Sequence, residues 1–221
     1  MGSLNSFDSL AAYNAATIDK PAVSYIKSLD SIVYDEESFS EKYTPLVSIR
    51  FQSDQFAMLN IQDNASLGFE IKAQPLTSTD GFRGLFGSYY NFIRFNGLNV
   101  QSDIGGQNVF SEDFAEVIGN DFVIQRLSDE SISINGVAYP LTTGGETFGG
   151  NICLGAYNDT EPAYKRFIGK VYYAKVYKNG ELIADLVPAK RNADNVVGFF
   201  DNISKAFYTS SSSNPFVDGE S

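Results

Sequence analysis

Histidine is absent from this 221-residue chain, which removes the Ser-His-Asp triad, the Cys-His dyad and every histidine-ligated metal. Cysteine is nearly absent as well. With Cys153 alone, neither an intrachain disulfide nor a cysteine-based zinc site can form within one chain. Cys153 lies in the apolar run from Asn151 to Ala156, where a packed thiol is expected rather than a nucleophile. Tryptophan, the strongest aromatic platform for a sugar, is missing too. Positive charge is scarce: 16 basic against 27 acidic residues give a net charge of −11, which opposes attraction to nucleic acid or an anionic membrane. No apolar run approaches the roughly 18 residues of a membrane span, and the N-terminal residues lack the basic and apolar regions of a signal peptide. The expectation is a chain made in a cytoplasm, with no nucleic-acid partner and no membrane insertion. Gly144-Gly145 and Gly149-Gly150 lack the Lys-Ser or Lys-Thr ending of a phosphate loop and read as turns.

What the chain does have is material for a β core: 43% apolar residues, with 18 Phe and 13 Tyr. That is enough for one large β domain. The clearest signal runs from Phe167 to Pro188. Ile168, Lys170, Tyr172, Ala174, Val176 and Lys178 alternate with Gly169, Val171, Tyr173, Lys175 and Tyr177, as on the two faces of a strand. Neither set is purely polar, so this strand is either covered on both sides or carries aromatic residues on a ligand-facing surface. Asn179-Gly180 suits a type I′ hairpin turn, and Asn135-Gly136 and Asn96-Gly97 repeat the signal. Further short strands are expected over 46–51, 56–61, 67–73, 81–88, 89–95, 122–127, 131–134, 137–139, 152–156, 198–200 and 206–208. Many short strands with such punctuation predict an all-β sandwich of two antiparallel sheets.

Ahead of it, Ser6 to Ala16 reads as a short helix, with Ser6 as N-cap and Phe7, Leu10, Ala11 and Asn14 on one face. A hairpin, Ala22 to Ile26 with Ser31 to Tyr34, is expected next. The charged, serine-containing stretch after it reads as a linker. The expected organisation is an arm over 1–36, a linker over 37–44 and the sandwich over 45–221. The serines at 210–213 read as an exposed loop.

From Phe167-x-Gly169 through Tyr172-Tyr173, Asn179-Gly180, Asp185 to Pro188, Lys190-Arg191, Val197-Gly198-x-x-Asp201 and Phe207-Tyr208, the chain resembles the closing strands of concanavalin-A-like (laminin-G-like) jelly rolls. Similar modules occur in phage tail, fibre and appendage proteins and in surface proteins of gut bacteria. The resemblance covers about half the chain, from Asn120 onward, and implies a jelly roll over 45–221. A second resemblance, carried by Phe7, Tyr13 to Ala16, Pro21, Val23 to Tyr25 and Val33-Tyr34, is to a short N-terminal segment of virion proteins from phages of gut bacteria. It implies an arm that attaches the chain to a virion or to sister chains; the alternative is a helix and hairpin packed on the sandwich as extra core.

Jelly rolls of this kind host glycosidases whose carboxylates alternate along one strand, as in Glu-x-Asp-x-x-Glu, so that both share a face about 5 Å apart. That string is missing. Glu112, Asp113 and Glu116 fall between expected strands and read as a solvated acidic loop. Jelly-roll lectins often hold calcium, and Asp63 with Asn64, or Asn158 with Asp159, offer hard oxygens for it; the plainer reading is turn capping. No other cofactor is expected. A sugar needs an aromatic ring beside amide or charged groups. Tyr90, Phe92 and Arg94 share one strand face, Tyr157 and Asn158 close a strand, and Tyr164 precedes Lys165 and Arg166. Each of these also reads as ordinary core or sheet surface.

The expected function is a noncatalytic, fibre-like virion or appendage protein of a phage, with a glycan-binding jelly roll for host-surface attachment. Its partners would be sister chains in a homo-oligomer such as a trimer, other virion proteins and a surface glycan. The expected location is the virion, or alternatively a bacterial cell surface. A glycoside hydrolase or lyase on the same fold, and a purely structural assembly component, are the rival readings.

Overall fold

The computed structural model describes residues 5–7, 23–26, 31–34, 39, 41–52, 54–64, 67–76, 82–89, 91–104, 108–114, 117–127, 131–141, 149–157 and 166–220. The chain divides into two compact units, Met1–Thr44 with Arg191–Asn195, and Pro45–Lys190 with Val196–Ser221.

In the first unit, β1 (Asn5–Phe7), β2 (Val23–Ile26) and β3 (Ser31–Tyr34) form a three-stranded sheet. The expected hairpin is present, with Val23 opposite Tyr34 and Ile26 opposite Ser31. Ser6 and Phe7, expected to open a helix, are instead strand residues, paired in parallel with Tyr25 and Ile26. A helix of about eleven residues is marginal by itself, and pairing with a formed hairpin gives the backbone better partners. Residues 8–16 of that expected helix lie outside the described residues. Tyr43 and Thr44, at the end of the stretch read as a linker, belong to strand β4 (Tyr43–Pro45). Asn192 joins this unit together: its amide N–H donates to the Lys42 carbonyl at 2.8 Å, and its Oδ1 accepts from the Thr44 hydroxyl at 2.7 Å.

The second unit is the sandwich. Its strands are β5 (Ile49–Phe51), β6 (Ala57–Gln62), β7 (Leu67–Pro75), β8 (Phe82–Ser88), β9 (Asn91–Asn96), β10 (Asn99–Ile104) and β11 (Asn108–Asp113). Next come β12 (Phe122–Arg126), β13 (Ser131–Ile134), β14 (Val137–Pro140) and β15 (Asn151–Leu154). The chain closes with β16 (Gly169–Lys178), β17 (Glu181–Arg191), β18 (Val197–Asp201), β19 (Phe207–Tyr208) and β20 (Val217–Asp218). The smaller sheet runs β11-β10-β9-β8-β15-β6. The larger runs β14-β13-β12-β7-β16-β17-β18-β19, with β5 beside the start of β16 and β20 beside β5. The predicted sandwich of two antiparallel sheets is the observed architecture.

Turn chemistry fixes the hairpins. Asn179 and Gly180 have φ of 53° and 80°, and Asn135 and Gly136 have 50° and 82°, the pair of positive angles a type I′ turn requires. The third turn is displaced by one residue. Asn96 stays in β9 opposite Asn99, and the loop is Gly97-Leu98 with the positive φ of 63° on Gly97, as a type II′ turn needs.

Between the sheets lies one apolar core. From β7, Phe69, Ile71 and Ala73 point inward while Glu70, Lys72 and Gln74 point outward. Phe51 stands at the centre, with ring centroids 5.9 Å from Phe167, 6.2 Å from Phe199 and 4.8 Å from Phe216. Across the two sheets Phe95 meets Phe122 edge-on at 5.7 Å. Emptying one such ring position costs about 3–5 kcal/mol, through lost burial and the cavity left behind.

Two expectations need correction here. β16 does not alternate strictly, because its register against β7 shifts between Val171 and Tyr173. That bulge leaves Tyr172 as the extra residue, so Gly169, Val171, Ala174 and Val176 share the buried side while Tyr173, Lys175 and Tyr177 take the outer one. The mixed polarity seen in both alternating sets comes from this one inserted residue. The acidic segment beginning at Ser111 is likewise no loop: Ser111, Glu112 and Asp113 belong to β11, paired with Gln101, Val100 and Asn99. Among the described strands it stands at the edge of the smaller sheet.

Candidate functional site

The interior is not apolar throughout. At one end of the sandwich Arg126 of β12, 2% exposed, crosses from the larger sheet to the smaller one. Its guanidinium donates to Asn91 Oδ1, to Ser102 Oγ at 3.4 Å and to the Asp103 and Leu67 carbonyls at 3.4 and 3.5 Å. It also lies 4.6 Å from the centroid of the Phe69 ring. Asn91 in turn donates from Nδ2 to Asp63 Oδ1 at 2.6 Å, and the Ser88 hydroxyl donates to Asp63 Oδ2. Burial pushes the Asp63 carboxyl above its usual range, while the Ser88 and Asn91 hydrogen bonds and the Arg126 charge pull it back down. This set ties the sheets together through a chain of satisfied polar groups.

That placement decides how Asp63 reads as a calcium ligand. Both of its carboxylate oxygens already accept side-chain hydrogen bonds, and only 8% of the residue is exposed. Asp63 is an interior acceptor that serves the Ser88 hydroxyl and the Asn91 amide. Asn64, its neighbour in the expected pair, lies half-buried, and its carbonyl accepts from the Leu67 amide at 3.2 Å. The second calcium pair, Asn158 and Asp159, lies outside the described residues. Among the described residues no three His, Cys, Asp or Glu side chains gather as a metal set.

On the outer face of the smaller sheet the structure assembles a different constellation. Inside that sheet Ile93 and Phe95 of β9 feed the core, so Phe92 and Arg94 point the other way. Phe92 is buried, 5% exposed as a residue. Tyr157, from the loop after β15, stacks on it with centroids 4.8 Å apart and planes at 35°. The Arg94 guanidinium carbon lies 4.8 Å from the same ring centre. Gln101, the cross-strand partner of Arg94 on β10, accepts from Arg94 Nε at 2.8 Å and holds the guanidinium in place. Asp103 sits opposite Phe92 on the same face. Farther along that face, the Arg166 guanidinium lies 4.2 Å over the Phe56 ring and donates to the Asp54 carbonyl. Cys153 is fully buried beside Phe56 and Ala156.

Of the sugar-contact candidates, Phe92, Arg94 and Tyr157 come together; Tyr90, Asn158 and Tyr164 lie outside the described residues. Sequence reading had no reason to join Tyr157 to Phe92, 65 positions apart. It missed Gln101 and Asp103 altogether, because β10 carries the weak pattern Asn-Val-Gln-Ser-Asp-Ile. The Gly97-Leu98 turn is the signal that places β10 after β9 and puts Gln101 across from Arg94.

Chemically, an aromatic stack flanked by a guanidinium and an amide offers an apolar face and hydrogen-bond donors and acceptors at its edge. It has the parts of a recognition surface for a hydroxylated ring.

No protein-family model matches this chain, and no curated protein matches it. A solved structure does: a candidate carbohydrate-binding protein from Bacteroides ovatus ATCC 8483 is similar over 78% of this chain, with a TM-score of 0.57 and 11% sequence identity. This chain spans 62% of that protein's length. At such identity the likeness is one of fold, a β-rich sandwich.

Proposed function

We propose that this chain is a noncatalytic carbohydrate-binding sandwich whose platform is the Phe92, Tyr157, Arg94 and Gln101 cluster on the outer face of the smaller sheet. The observation that carries the reading is that stack, with its guanidinium held by a neighbouring amide. The solved neighbour described as a candidate carbohydrate binder supports it at the level of fold. In the finer form of the proposal the sandwich is displayed on a phage virion or appendage, or alternatively on a bacterial surface, and attaches to a host glycan. Sister chains, as in a trimer, multiply a weak single-site affinity by orders of magnitude. The resemblance of the closing strands and of the N-terminal segment to phage and gut-bacterial surface modules supports this form.

A glycan array probed with the full chain and with Tyr157→Ala tests the proposal. The expected result is binding to a defined set of glycans that falls at least about tenfold in the variant. No binding by the parent chain, or equal binding by both, overturns it; release of cleaved product from any bound polysaccharide overturns the noncatalytic part.

A further inference from the structure

On the side of the sandwich where β6 of the smaller sheet meets β19 of the larger, a cleft of about 490 Å³ opens near the Asn179-Gly180 turn. That volume lies in the range of small-ligand sites. None of the residues discussed for the Phe92 platform lines it. Its walls combine two kinds of surface. Ile61 and Ile183 are apolar and partly buried against the core. Asn60, Gln62, Lys178 and Tyr208 add amide, ammonium and phenol groups.

The charge at this cleft is settled by how its carboxylate is used. Asp201, 1% exposed, also borders it. Its Oδ1 accepts from the Asp185 and Ile203 amides at 2.9 and 3.0 Å, and its Oδ2 accepts from the Ser204 amide at 3.3 Å and from the Ser204 hydroxyl. Asp201 is therefore spent on folding the turn after β18. Lys178 ends β16 exposed to solvent and makes no ion pair among the described residues. Lys178 is thus the ammonium among the residues lining the cleft, and the Asp201 carboxylate, still charged, turns both oxygens to the amides and hydroxyl of its own turn rather than to Lys178.

We propose that this cleft is a second ligand site that takes a single carboxylated pyranose, of the uronic-acid class. Lys178 holds the carboxylate. The Asn60 and Gln62 amides meet the ring hydroxyls, which both donate and accept as an amide does. The Tyr208 ring and the two isoleucines take the apolar side of the sugar.

Calorimetric titration of the full chain with methyl glucuronide and with methyl glucoside tests this, since the two probes differ at one carboxylate. The glucuronide is expected to bind at least about tenfold more tightly, a preference that Lys178→Ala removes and Lys178→Arg keeps. Lys178 is an exposed residue beside a turn, so its replacement leaves the fold intact. Equal affinity for both probes, no heat with either, or a preference that survives Lys178→Ala overturns the proposal. The array signal dependent on Tyr157 and the glucuronide preference dependent on Lys178 are separate readouts, so either site can fail without the other.

Discussion

The outer faces of the two sheets use the same residue types to opposite ends. On the larger sheet, Lys72 lies 4.6 Å from the Tyr172 ring centre and pairs with Asp121 at 2.9 Å. Lys175 lies 5.4 Å from the Tyr173 ring and 3.5 Å from Glu70, which also accepts from Gln125 at 2.9 Å. These aromatic and charged groups engage one another across β7, β12 and β16, with Asp121 standing just ahead of β12. On the smaller sheet the Gln101 amide accepts from the cation, and the ring over Phe92 arrives from a loop. The first face is a self-neutralised surface. The second concentrates an aromatic pair beside a guanidinium held by the Gln101 amide, which is why it, and not the tyrosine-rich face, is the proposed platform.

The largest way to break this contrast is at Gly87, which pairs with Phe92 at a φ of 131°. A Cβ there would lie 2.1 Å from the Asn91 carbonyl oxygen and 2.5 Å from the Phe92 Cα. Gly87→Ala is expected to destabilise the sandwich by roughly 3 kcal/mol or more, from strain plus a backbone collision. Gly180→Ala, at the open hairpin turn of the larger sheet where nothing lies within 4 Å, is expected to cost about 1–2 kcal/mol from its left-handed backbone alone. Urea denaturation of both variants compares them, and equal costs would remove Gly87 as the residue that shapes the platform.

A smaller effect separates the faces by function. Tyr157→Ala gives up an aromatic pair worth about 0.5–1.5 kcal/mol and most glycan binding, whereas Tyr173→Ala leaves glycan binding within about twofold, a change of under 0.5 kcal/mol. Parallel array measurements decide it, and a loss confined to Tyr173→Ala would move the platform to the other sheet.

The smallest effect is spectroscopic. Burial, then the Tyr173 hydroxyl's hydrogen bond to Glu70 and the nearby Glu70 charge, push the Tyr173 phenol up to about 12. Because the folded value lies above the ordinary one near 10, the neutral phenol's contribution to stability is intact below pH 10. It is lost as the pH rises from there to about 12. Alkaline ultraviolet titration should show one late-ionising phenol missing in Tyr173→Phe; if the missing phenol titrates near 10, the closed network on this face is not there.

Much of the sandwich is legible in the sequence alone. Asn179-Gly180 and Asn135-Gly136 announced their hairpins because a type I′ turn needs two left-handed residues and few side chains tolerate that. β7 announced its inward face through Phe69, Ile71 and Ala73. The candidate site was less readable, and the reason differs by residue. Phe92 and Arg94 share a face through local alternation, which a sequence displays. Gln101 lay in a strand too polar to stand out, and Arg126 reads as an ordinary strand-end cation until Asn91 and Asp63 are placed opposite it. The helix expected over Ser6 and Phe7 gave way to strand pairing for the same reason: the competing partner, β2, is some twenty residues further along.

The amino-acid sequence by itself determined the absence of histidine chemistry, the antiparallel β class and the positions of the tight turns, all of which depend on residue type or on spacing within a few positions. Tertiary structure alone decided that Tyr157 stacks on Phe92, that one extra residue in β16 turns three tyrosines to a common outer side, and that Asp201 is consumed by its turn while Lys178 stays open. Those outcomes depend on which distant strands become neighbours and on a one-residue shift in their pairing, and a local pattern of side chains encodes neither.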